Sequence, residues 1–193
     1  MAMAACLLAN LTARAELVNM SILHTNDTRG HLESFYYRSS KPLGGLAKRS
    51  IFFHEKRRHA NMFWLTLDAG NIFGYVPLSY YFEGFLDISL MNWLGYDAVG
   101  LGPCDFMFGQ EVLATRLAER KFPFICTNIM NESTGKYLVE PFTVIERGGF
   151  RVGILGFADP ATQSYYPEAY TAGLAFRDPL EVAAEWVPQL KYQ

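Results

Sequence analysis

Residues 20–31 read Met-Ser-Ile-Leu-His-Thr-Asn-Asp-Thr-Arg-Gly-His. The first five form a short, mostly apolar run of the length of a buried strand. Loop formers follow at once, from Thr25 through Gly30. Working outward, the same alternation repeats. Residues 44–59 predict a helix, with Leu46, Ile51 and Phe52 among its apolar residues and charge at its end. Residues 62–67 predict a second strand, followed by Asp68-Ala69-Gly70-Asn71. Residues 80–94 carry Phe82, Leu86, Leu90 and Trp93 at helical spacing, and Gly95 follows as a C-cap. Residues 98–101 predict a third strand, followed by Gly102-Pro103-Cys104-Asp105-Phe106, then a helix over 110–120 and a strand over 123–127.

The pattern changes after that. Residues 141–146 and 151–157 flank Arg147-Gly148-Gly149-Phe150, the signature of an antiparallel hairpin. Residues 178–190 predict a last helix, with Asp178 as cap, Pro179 in its first turn and Pro188 as a breaker. Alternation of this kind implies an α/β fold of parallel strands with helices on the faces, plus an antiparallel portion. Ligands in such folds sit beyond the C-terminal ends of the strands. The loops after residues 24, 67 and 101 are therefore the ones to inspect.

Composition sets the bounds. The chain has 193 residues, half of them hydrophobic, enough for one domain with a sizeable core. A formal net charge of -2 argues against a nucleic acid polymer as partner. The basic run Lys56-Arg57-Arg58 falls at the end of the first predicted helix, where cations complement the helix dipole. Cys6, Cys104 and Cys126 imply no disulfide framework, and Cys126 reads as a small buried residue. Residues 1–15 are apolar and end in Ala13-Arg14-Ala15, which reads as a signal-peptide remnant and predicts export to a periplasmic or extracellular location. Met3-Ala4-Ala5-Cys6 is loosely similar to a lipoprotein box. No later apolar run reaches the roughly 18 residues of a transmembrane segment.

The loops, taken in order, resemble the 5'-nucleotidase family. Ile22-Leu23-His24-Thr25-Asn26-Asp27 and Gly44-Gly45-Leu46-Ala47 are similar to its opening. Leu67-Asp68-Ala69-Gly70 is similar to its second metal loop, and Tyr96-Asp97-Ala98-Val99-Gly100-Leu101-Gly102 to the approach to its Gly-Asn-His-Glu loop. Lys121-Phe122-Pro123-Phe124 and Val152-Gly153-Ile154-Leu155-Gly156-Phe157 match later strands. The resemblance runs from about Glu16 to the end. It implies the α/β/β/α sandwich of calcineurin-like metallophosphoesterases over residues 16–193, with the second half of the domain absent. It also implies two divalent metal ions (Mn, Zn, Mg or Ca) that hold a phosphate and activate water.

Carried over position by position, the resemblance brings substitutions. Of the family's Asp-x-His metal pair, the aspartate is kept as Asp27 and the histidine is Arg29. The bridging aspartate falls on Asn71, and the asparagine ligand on Pro103. The catalytic histidine falls on Cys104 and its partner aspartate on Met107. Asn71 offers an oxygen without charge, Pro103 offers no donor atom, and Arg29 stays cationic at any ordinary pH. Asp27 could still touch a cation, or pair with Arg29 and cap a turn. Cys104 could act as a nucleophile or soft ligand, although Asp105 beside it would raise its pKa. Arg29, with Arg38 or Lys41, could bind an anion. His24 reads as a partly buried strand-end residue, His31 as structural, and His54 and His59 as surface residues of a helix. The aromatic runs 35–37 and 80–82 read as core or contact surface.

The reading of the sequence is thus a catalytically degenerate, exported 5'-nucleotidase-like domain. It would act without metal as a binding module for a protein or an anionic small molecule. Two alternatives stay open. One is a metal-dependent phosphoester hydrolase acting on nucleotides. The other is a truncated, non-functional fragment, whose uncovered sheet edge and apolar face would make it unstable unless a partner or the 178–190 helix covered them.

Overall fold

A computed structural model of the chain describes residues 19–38, 40–59 and 62–191. The signal-peptide reading of residues 1–15, Cys6 included, lies outside them. The elements alternate as the pattern implies: β1 (Met20–Thr25), α1 (Leu46–Arg57), β2 (Phe63–Asp68), α2 (Pro77–Tyr81), α3 (Phe85–Leu94), β3 (Ala98–Gly100), α4 (Gly109–Glu119) and β4 (Phe124–Ile125). The four strands form one parallel sheet in the order β1-β2-β3-β4. A sheet that grows in one direction through right-handed crossovers carries all its helices on one face. The core shows this: Phe53 of α1, Ile88 and Met91 of α3 and Leu113 of α4 pack with Leu23, Val99 and Phe124 of the strands.

Three features differ from expectation. The predicted helix over 80–94 is two helices. The chain turns at Glu83 and Gly84, both left-handed at φ 46 and 78. A side chain at Gly84 would lie 2.3 Å from the Phe73 ring, so the aromatic core selects a glycine break that periodicity alone does not reveal. Pro188 does not end the last helix, α6 (Pro179–Leu190), because it falls in the last turn and costs only the end of the ladder. His24 is exposed rather than partly buried, since β1 is the edge of the sheet.

The antiparallel portion has two small ladders. β6 (Phe142–Arg147) and β7 (Phe150–Leu155) form the predicted hairpin, turning through Gly148-Gly149. β5 (Ile129–Asn131) pairs with β8 (Leu174–Phe176), a ladder too short to show in the sequence pattern. A short helix, α5 (Thr162–Tyr165), follows β7. The α6 helix is capped by Asp178, which accepts the Leu180 and Glu181 N–H groups. It covers one side of the hairpin, with Trp186 against Phe142 at 5.1 Å and Leu190 over Gly153. The other side meets the sheet across an apolar trough of about 340 Å³ whose lining includes Leu67, Ala98, Ile125 and Ile154. Among the described residues, no helix is long and apolar enough to cross a membrane.

Asn128 ties these ladders together. It is fully buried, donates to the carbonyls of Ala158 and Arg177 at 2.9 Å each, and accepts from Ala158 N–H at 2.8 Å. Truncation would strand all three backbone groups away from water. Asn128→Ala should lower the unfolding free energy by roughly 3 kcal/mol in chemical denaturation. An unchanged midpoint would mean that Asn128 is not the tie.

Candidate functional site

Three loops leave the C-terminal ends of β1, β2 and β3 and lie against one another. The first lies along the second through backbone bonds: Asp27 N–H to Gly70 carbonyl at 3.1 Å, Arg29 to Asn71 at 3.0 Å, and Gly30 to Ile72 at 2.7 Å. The second and third are joined by a buried carboxylate. Asp105 accepts the N–H groups of Gly102 (2.8 Å), Asn71 (3.0 Å) and Ile72 (2.8 Å). The approach is close enough that a side chain at Gly70, itself at φ 97, would fall 2.6 Å from Gly102 N.

This weave brings together most of the positions singled out from the sequence. Asp27, Arg29 and Asn71 all adopt left-handed backbone, at φ 53, 44 and 58. Such a conformation is tolerated by Asn and Asp but disfavoured for Arg by about 1 kcal/mol or more, and is held by its surroundings. The Asn71 amide occupies the centre. Its Nδ2 donates to Asp27 Oδ1 at 2.6 Å, and its Oδ1 accepts from Cys104 N–H at 2.8 Å. Arg29 approaches Asp27 only at 3.5 Å, and both side chains are about half exposed. The expected Asp27–Arg29 pair is therefore a loose one, and the amide is the closer partner of Asp27.

A cleft of about 540 Å³ opens here, lined by Arg29, Asn71, Pro103 and Cys104 on one side. Tyr75 and the loop after β7, with Asp159, Tyr165 and Tyr166, complete it. Met107 is not in the cleft; it is buried in the core cluster. Arg38 stacks on the Tyr37 ring, and neither it nor Lys41 lines the cleft, so Arg29 does not gain the second cation expected for an anion site. His31 lies beside Phe35, ring centres 5.1 Å apart, and His54 and His59 are exposed on and beyond α1. Among the described residues, no three His, Cys, Asp or Glu side chains gather as a metal-binding group.

Electrostatics set the protonation states. Burial pushes the Cys104 thiol up from its ordinary value, against the Tyr166 hydrogen bond and the Arg29 charge, which lower it, and with smaller help from Asp105 and Asp27. The thiol thus stays protonated at neutral pH and is a poor nucleophile. Burial against Cys104 likewise pushes the Tyr166 phenol up. Two carboxyls beneath the loops are raised by burial, Asp68 to about 6 and Asp105 to about 7, despite the N–H groups that favour their ionised forms. Asp68 is further held by Thr25, a close hydroxyl donor, and by Gly70 N–H at 2.8 Å.

The sequence reading missed Asp159, Tyr165 and Tyr166. Searching the segment just after each strand, applied also to the hairpin, would have found Asp159-Pro160. It also passed over the clamp made by Asp105, because a carboxylate within a loop reads as solvated until the fold buries it.

No family model matches the sequence. A 5'-nucleotidase of Vibrio cholerae is 30% identical over 175 residues, covering 89% of this chain and 31% of that protein. Among solved structures, a 5'-nucleotidase precursor from Thermus thermophilus is 34% identical with a TM-score of 0.78, over 89% of this chain and 34% of that one. The calcineurin-like phosphoesterase YfkN from Bacillus subtilis is 25% identical with a TM-score of 0.75, over 91% of this chain and 59% of that one. The chain spans about a third of the length of the curated relatives it matches. The α/β fold is that of calcineurin-like phosphoesterases, as the resemblance implied.

Asp68 and Asp105 bind protons more tightly folded than unfolded. Their contribution to stability is therefore largest at low pH, and it fades as pH rises from 3.8 through about 6 and about 7. Unfolding free energy measured across that window should fall with rising pH. Asp105→Asn should remove the upper part of the slope. It should also cost roughly 2 kcal/mol, because an amide offers the clamped N–H groups one acceptor oxygen instead of two. An identical slope in the variant would dismiss Asp105 as its source.

Proposed function

As a relative of the 5'-nucleotidases built on the calcineurin-like phosphoesterase fold, we propose that this chain is a catalytically degenerate domain. On this reading it is exported and binds a protein or an anionic small molecule at the cleft, without hydrolysing phosphoesters. The observation that carries the reading is the Asn71 amide. It donates an N–H to Asp27 Oδ1, the carboxylate kept from the family's metal pair. A metal ligand must point a lone pair, not a proton, into the site, and here the amide hydrogen stands where a cation would share the carboxylate. Arg29 places a permanent cation at the edge of the same site, Pro103 brings no donor, and the Cys104 thiol is protonated. This donor set does not fit two divalent ions. Arg29 is the one cation among the residues lining the cleft; it lies 3.5 Å from Asp27, and Asp159 adds a second carboxylate to the same lining. An anionic ligand would therefore need to displace the loose Asp27 contact.

A metal-dependent phosphoester hydrolase is the second reading. The left-handed backbone at Asp27 and Asn71 and the close loop weave favour it, because they preserve a scaffold able to hold ligands. Calorimetric titration with Mn²⁺ and Zn²⁺ separates the two. The proposal expects no binding tighter than about millimolar, and no phosphatase activity. Two ions bound per chain would overturn it. The variant Asn71→Asp sharpens the test. Without metal, it sets two carboxylates against each other and should cost about 1–3 kcal/mol. On this proposal Mn²⁺ or Zn²⁺ should not recover that loss in thermal melts, since the remaining positions still supply no ligands.

A further inference from the structure

The basic run stands in and just after the last turn of α1, where the helix dipole favours cations, but its members do more than that. Arg57 is consumed structurally. It donates to the carbonyls of Leu94 (2.6 Å) and Gly95 (2.9 Å), so it caps the C-terminus of the neighbouring α3 rather than of its own helix. Its two neighbours in the run are placed differently. Lys56 lies 5.3 Å from the centre of the Phe52 ring, and Arg58 is exposed and makes no salt bridge among the described residues. Between α1 and α3 runs a groove of about 480 Å³ whose lining includes Ile51, His54, Arg58 and Trp93. Trp93 is 68% exposed, Ile51 60% and Phe52 49%, although all three are large apolar side chains. Glu55 is the one acid lining the groove, and Asp97 nearby is turned away to Arg147 at 2.8 Å.

An exposed Trp beside a free Arg, in a concave seat between two helices, has the make-up of an interface hot spot. The surplus of positive charge on this face, in a chain of net charge -2, selects the partner's sign. We propose that the α1–α3 groove docks an acidic protein segment carrying one bulky apolar anchor. The anchor seats against Trp93 and Ile51, and its flanking carboxylates meet Arg58 and Lys56. The concave seat favours a segment of chain over a lipid surface, which would require the apolar side chains to project as one ridge. This surface is separate from the cleft at the strand ends.

The test is an array of short peptides, each with one Phe, Leu or Trp between Asp and Glu residues. Matched peptides carry Asn and Gln in place of the acids, and vesicles containing phosphatidylserine are assayed in parallel. The wild-type chain should bind the acidic peptides and not the amide set, more weakly as salt rises. Trp93→Ala and Arg58→Glu should each weaken binding by about tenfold or more, with unchanged melting temperature, since both side chains are exposed. If one variant fails to fold, the other still decides the matter. Equal binding to both peptide sets, no peptide binding at all, or capture by the vesicles alone would each overturn the proposal, the last in favour of a membrane surface.

Discussion

The Asp105 carboxylate accepts backbone N–H groups from its own loop and from the loop after β2, in a position from which water is excluded. Two chain segments far apart in sequence are thereby held at hydrogen-bond distance. The loop after β1 then attaches to the second of them by its own backbone. Without that carboxylate, the N–H groups of Asn71 and Ile72 would be buried and unpaired, and the left-handed turn at Asn71 would lose its anchor. The cost of burying the charge appears as a raised pKa, at about 7. The clamp is thus a compromise between satisfying backbone donors and desolvating a carboxylate.

Once the loops are fixed, the side chains at their tips have little freedom. Asn71 fills the centre by using both ends of its amide, one on Asp27 and one on Cys104 N–H. A carboxylate at this position could accept from Cys104 N–H but would repel Asp27. The amide instead holds Asp27 with a hydrogen bond. The proposed binding role rests on this contact within the backbone frame.

The two faces of the molecule differ in character. The helical face is closed by a dense core and by Arg57, which satisfies the last carbonyls of α3. The opposite face of the sheet meets the hairpin across an apolar trough, and α6 closes the far side of the hairpin. The expectation that the 178–190 segment could cover apolar surface holds for the hairpin. It does not extend to the edge strand β1, where Met20 and Ile22 are about half exposed.

The alternation of strands and helices, the hairpin at Gly148-Gly149 and the Asp178 cap were legible in the sequence because each depends on local periodicity or a local turn. So was the convergence of Asp27, Arg29, Asn71, Pro103 and Cys104, since a parallel sheet places successive loops at one end. The tertiary structure decided the rest. The break at Gly84 is imposed by the Phe73 ring, the Asn71 amide finds Asp27 across 44 positions of sequence, and Asp159 and Tyr166 enter the cleft from a hairpin with no strand in the main sheet. That Arg57 rather than Arg58 is taken up by the fold was decided by α3, whose terminal carbonyls accept from Arg57. The physical reason is the same throughout: periodicity records which face of a segment is apolar, whereas a partner distant in sequence is chosen only by packing.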